Sequence, residues 1–91
     1  MTDSEIDIRR RQLRFRAWHR GTREADLLLG PFADSFLPVC ARELVDEFAR
    51  LMEVEDPDLW DWVTGQKPVD PAHNGPVYQA LLTFIAQRQA V

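Results

Sequence analysis

Glycine and proline punctuate this chain so often, at Gly21, Gly30-Pro31, Pro38, Pro57, Gly65, Pro68, Pro71 and Gly75-Pro76, that no regular element can run far. Between these breakers the apolar residues recur three and four positions apart, the spacing of one helical face, and no stretch carries the alternation of a strand. The chain therefore reads as all-α, a compact bundle of about five short helices. With 91 residues, 45% of them hydrophobic and 29% charged, it has material for one small core and not for two. We expect a single helical domain over residues 1–91, with the first few frayed.

The individual helices follow from their breakers. Residues 6–19 lack Gly and Pro and are rich in good helix formers, so they form the first helix. Its stripe of Ile6, Leu13 and Ala17 faces the core, while Ile8 and Phe15 lie nearly opposite. Gly21 then suits the left-handed residue just past the helix end, and Thr22 suits the cap of a second helix, with Glu24 and Asp26 at its positive end. The second helix presents Ala25, Leu28, Leu29, Phe32 and Phe36, a series that keeps phase across Gly30-Pro31, where a kink or short break is expected. Pro38 opens the third helix, whose apolar positions are Ala41, Leu44, Val45, Phe48, Leu51 and Met52. Asp56 and Pro57 are cap and first residue of a short fourth helix containing Leu59, Trp62 and Val63. Residues 66–75 form a loop, and Pro76 opens a fifth helix with Val77, Tyr78, Leu81, Leu82, Phe84 and Ile85.

The net charge of −4 hides an asymmetry. Residues 1–23 carry seven arginines against three acids, and the remainder four bases against twelve acids. Such a basic arm suits nucleic acid, an acidic protein partner, or the chain's own acidic surface. Phe15 and Trp18 could stack on bases beside Arg9, Arg10, Arg11, Arg14, Arg16, Arg20 and Arg23, although an acidic domain is an unusual nucleic-acid binder.

Chemistry is scarce. No nucleophile–base pair or carboxylate pair is visible, and no glycine-rich loop offers a phosphate cradle. Cys40 with His19 and His73 has no zinc spacing, and alone it reads as a small buried side chain, so we expect no catalytic residues, no metal and no bound cofactor. No apolar run approaches membrane-spanning length, and Asp3, Glu5 and Asp7 disfavour a targeting leader, so a cytoplasmic location without membrane insertion is expected.

The segment Arg20-Gly21-Thr22-Arg23-Glu24 is the most informative. Spacing alone leaves two readings open: a structural turn, or a contact surface where a residue without a side chain lets another backbone approach between charged groups. The wider run of residues 15–32, with Leu44 to Met52, Asp56-Pro57-Asp58-Leu59-Trp60-Asp61-Trp62, Thr64-Gly65 and Pro68, resembles the succinate dehydrogenase assembly factor 2 family of flavinylation factors. The likeness spans about residues 9–88 apart from the loop at 69–75, and the Arg-Gly-x-x-Glu signature falls without departure on Arg20, Gly21 and Glu24.

The resemblance implies a five-helix protein that binds the flavoprotein subunit of succinate dehydrogenase or fumarate reductase and promotes covalent attachment of FAD to a histidine of that subunit. FAD then belongs to the partner. It also implies that Arg20, Gly21 and Glu24 form the contact, to which Phe15, Arg16, Trp18 and Arg23 are expected to add. A transient helper of this kind is expected to be a monomer when free. The rival class is a small helical regulator, binding nucleic acid or acting as an antitoxin-like protein partner.

Overall fold

A computed structural model of the chain describes residues 2–89, so positions 1, 90 and 91 of the expected domain lie outside the described residues. The elements are α1 (Asp3–Trp18), α2 (Arg23–Phe36), α3 (Arg42–Met52), α4 (Asp56–Val63), a single 3₁₀ turn (Pro71–His73) and α5 (Pro76–Gln89), with no strand among the described residues. Helix α1 lies against α2 and α3, and α3 lies against α5 and the 3₁₀ turn. The expected all-α architecture of five short helices is the one observed.

Helix α1 starts three residues earlier than the periodicity indicates because Thr2 caps it, its hydroxyl accepting from the Glu5 N–H at 3.3 Å. Ile6, Leu13 and Ala17 are buried as expected, while Ile8 and Phe15 are 46% and 65% exposed. Around this stripe the core gathers Leu29, Phe32, Ala33, Leu37, Val45, Phe48 and Leu81, all at most 2% exposed. Phe32 stacks on both Phe36 and Phe48, at 5.2 and 5.9 Å between ring centres, which ties α2 to α3.

Three boundary expectations are corrected. Helix α2 runs through Pro31 as one helix, so of the kink or short break expected there the break is absent. Proline has no N–H to give the Leu27 carbonyl one turn back, and Arg88 of α5 donates to that oxygen instead, at 3.0 Å. Helix α3 begins at Arg42 rather than near Pro38. Pro38 sits in the turn leaving α2, where Arg10 of α1 donates to the carbonyls of Leu37 and Cys40. Helix α4 begins at Asp56, with Glu55 in the cap position but making no side-chain capping bond, so Asp56 is its first residue rather than its cap. Helix α5 receives its cap from another helix, with the Glu47 carboxylate of α3 accepting from the Val77 N–H at 2.6 Å.

Gly30 explains why α1 and α2 approach so closely. A Cβ built there would lie 2.2 Å from the Trp18 ring, so the indole rests directly on bare backbone. Trp18 is anchored in turn by its Nε1–H, which donates to Asp34 at 3.2 Å. Replacing Gly30 with Ala gains about 1 kcal/mol of helix propensity but forces a rigid ring off its seat, and overpacking of this kind costs about 1–3 kcal/mol, occasionally more. Gly30→Ala is therefore expected to be destabilising, read as a lower urea midpoint with an unchanged slope.

Candidate functional site

The corner between α1 and α2 is a four-residue connection, His19 to Thr22. His19 caps the end of α1 by donating its N–H to the Arg16 carbonyl, and Arg20 follows, so Gly21 stands one residue beyond the position just past the cap. Gly21 nevertheless carries the left-handed geometry expected of it, with φ at +108°. Thr22 caps α2, accepting from the Ala25 N–H at 3.3 Å.

Arg20 holds this corner from beneath. Its side chain is only 9% exposed, and it reaches across to the junction of α3 and α4. There it donates to the Met52 and Val54 carbonyls at 2.5 Å each, and to Asp56 through both Nε and Nη2 at 3.0 and 2.8 Å. The backbone N–H of Arg20 donates to Asp26 at 2.6 Å, and the Thr22 hydroxyl lies 3.4 Å from the other Asp56 oxygen. One guanidinium thus joins the end of α1, the open carbonyls past α3 and the first residue of α4. Only the planar fork of arginine can serve a carboxylate and two carbonyls together.

The expected contact residues divide into two sets. Arg20, Trp18 and Arg16 are held by partners within the fold: Trp18 by Gly30 and Asp34, and Arg16, itself exposed, by Glu53 at 2.8 Å. The Arg16 pairing holds the Glu53 carboxyl below its ordinary range. Gly21, Arg23, Glu24 and Phe15 face outward. Nothing lies within 4 Å of where a Gly21 Cβ would be, and neither Arg23 nor Glu24 forms an ion pair among the described residues. Phe15 stacks on His19 with ring centres 4.0 Å apart, and the His19 Nδ1 donates to the Phe15 carbonyl at 2.7 Å. Trp18, His19, Gly21, Thr22, Arg23, Asp26 and Leu27 line an open hollow of about 540 Å³.

The residues that build the corner from within, Asp26 and Asp56, were legible only as helix-end acids. The signal for their larger role is that an arginine in a tight turn, once buried, must find an acid and several acceptors. Elsewhere in the arginine arm Arg9 pairs with Asp46 and Arg14 with Asp34, and outside the arm Arg42 pairs with Asp3. Cys40 is half-buried and its thiol is pushed up by burial, in keeping with a packing role. No group of three metal-ligating side chains occurs among the described residues, and no helix there is long and apolar enough to cross a membrane.

Comparison with known proteins agrees with the corner's composition. The family described as the flavinator of succinate dehydrogenase matches residues 11–85. The FAD assembly factor SdhE of Acetobacter pasteurianus is 32% identical over 82 residues, which covers 90% of this chain and 75% of that protein. The mitochondrial succinate dehydrogenase assembly factor 2 proteins of Debaryomyces hansenii and Arabidopsis thaliana are 36% and 32% identical, each over 77% of this chain. This chain spans only about half of the first and 38% of the second.

The buried and exposed ion pairs should differ sharply in worth. Removing the carboxylate in Asp56→Ala strands a nearly buried guanidinium and is expected to cost about 3 kcal/mol or more. Arg16→Ala, which breaks an exposed pair, is expected to cost less than about 1 kcal/mol. Paired urea titrations check both. The matched length, the relatives and the intact signature at the corner agree, and the chain belongs to the flavinator of succinate dehydrogenase family.

Proposed function

We propose that this chain is an assembly factor that binds the flavoprotein subunit of succinate dehydrogenase and promotes covalent attachment of FAD to a histidine of that subunit. The related fumarate reductase flavoprotein is a second client of the same chemistry. The observation that carries this reading is the open Gly21 corner. It has no side chain of its own, an unpaired Arg23 and Glu24 beside it, and a rigid clamp beneath it, in a chain of this family.

The chain supplies no catalytic group and holds no FAD of its own; flavin and histidine both belong to the client. What a small rigid body can supply is geometry. Held in a reactive arrangement, two groups of one partner react as though at very high local concentration, worth on the order of several kcal/mol of barrier. The chain acts as a cytoplasmic monomer that meets its client transiently. Gly21 admits the client's backbone, Arg23 and Glu24 give charge-assisted bonds, and Phe15 adds apolar contact. Trp18, Arg16 and Arg20 serve the interface by fixing its shape. The pairing of four of the arm's seven arginines, Arg9, Arg14, Arg16 and Arg20, with this chain's own acids argues against the nucleic-acid alternative, which needs free cations for phosphates.

Substitution at Gly21 separates backbone strain from bulk. Gly21→Ala and Gly21→Arg both pay a left-handed penalty of about 1–2 kcal/mol, and the Cβ of either meets nothing within 4 Å. In co-expression with the flavoprotein subunit, in-gel flavin fluorescence is expected to persist with Gly21→Ala and to vanish with Gly21→Arg, while both proteins keep their helical circular dichroism. Full covalent flavinylation with Gly21→Arg would refute the proposed docking face.

A further inference from the structure

Beyond the corner, the other face of the first turns of α2 borders a second hollow that the Arg-Gly-x-x-Glu signature does not explain. Leu27, Leu28, Trp60, Val63 and Ile85, from α2, α4 and α5, form an apolar groove of about 410 Å³. Leu27 is 46% exposed, a large side chain left half in water on the ridge between this groove and the corner hollow, and it lines both. Glu24 stands on the groove's rim. It is exposed and forms no ion pair among the described residues.

Arg88 also lines the groove, and it forms no ion pair with Glu24 among the described residues. Its guanidinium donates to the Leu27 carbonyl that Pro31 leaves without a partner, and it lies 5.4 Å over the Phe84 ring. The groove therefore has one wall fixed by a backbone contact, an apolar floor, and a free carboxylate at the end that meets the corner.

We infer that this groove is the second half of the docking surface and takes a large apolar side chain of the flavoprotein subunit, flanked by a lysine or arginine that pairs with Glu24. The inference rests on the assembly-factor reading above. Continuity assigns the occupant: Leu27 belongs to both hollows, and Glu24 on the groove's rim directly follows Arg23 of the corner hollow, so a body seated on the Gly21 corner must cover Leu27 and reach the groove mouth. The chemistry of the lining assigns the side chain, since an apolar anchor buried in a pocket and ringed by polar groups is the usual centre of binding energy in an interface. A cation beside it meets the one carboxylate on the rim that this fold leaves unpaired.

The test uses the purified chain and the recombinant succinate dehydrogenase flavoprotein subunit, with the dissociation constant measured by calorimetry. Leu27→Asp places a charge on the ridge, and Thr64→Trp, at an exposed position on the groove's edge, fills it. Val39→Asp, 83% exposed and outside both hollows, is the control. Leu27→Asp and Thr64→Trp are each expected to weaken binding by about tenfold or more, as loss of a buried anchor does, with Val39→Asp unchanged and all three keeping the wild-type helical spectrum.

Wild-type affinity for both groove variants, with Gly21→Arg unable to bind, would overturn the groove and leave the corner standing. Binding that survives Gly21→Arg as well would overturn the assembly-factor docking itself. A concentration-dependent dimer of the free chain that Leu27→Asp dissolves would also overturn the inference, by giving the groove to a second copy.

Discussion

Everything at the candidate site depends on one guanidinium. Arg20 sits at 9% exposure, where a charge without partners would be prohibitively costly, and it is tolerated because Asp56 and two carbonyls past α3 surround it. Those carbonyls are themselves in need, because the last turn of a helix leaves its acceptors open. Two deficits thus cancel in one place, and that place lies directly under a turn whose outer surface is bare. The corner is rigid because its support is electrostatic and internal, while the face it offers carries charges that remain unspent.

The same division runs through the charge asymmetry of the whole chain. A segment with seven arginines at the front of an acidic protein invites a phosphate-binding interpretation. The fold instead lays α1 across the acidic sides of α2 and α3, so that Arg9, Arg14 and Arg16 meet Asp46, Asp34 and Glu53. These exposed pairs are individually weak. Their joint consequence is one of sign: with Arg20 on Asp56, four of the arm's seven arginines meet acids of this chain, while Arg23 and Glu24 at the corner form no ion pair among the described residues.

Sequence periodicity captured the elements because the core is built from helical stripes, and Ile6, Leu13 and Ala17 needed no tertiary information to be recognised. Boundaries were harder wherever a long-range partner replaces a local one. Pro31 looks like a break, yet Arg88, 57 positions later, takes over the carbonyl that proline abandons. Pro38 looks like a helix start, yet Arg10 draws on the carbonyls around it and the turn is completed before α3 begins. At the site, Gly21 and Thr22 were legible as turn chemistry, since φ and capping are local properties. The inward orientation of Arg20 was not, because Asp56 and the Met52 and Val54 carbonyls lie more than thirty residues away along the chain.

The places where local rules are broken are also the places that shape the proposed docking face. Gly30 is a poor helix former in mid-helix, and it is there because the Trp18 ring needs bare backbone to lie on. Pro31 beside it discards a helical hydrogen bond, and the loss frees the Leu27 carbonyl to hold Arg88 at the wall of the groove. A sequence selected for helix stability alone would carry neither residue. Their combined cost, a few kcal/mol in an isolated helix, is offset by contacts that set α1 and α5 on either side of the first turns of α2, where Glu24 and Leu27 face outward. Local disfavour balanced by a specific long-range contact is what a chain tolerates when the position of a surface, and not the strength of a helix, is under selection.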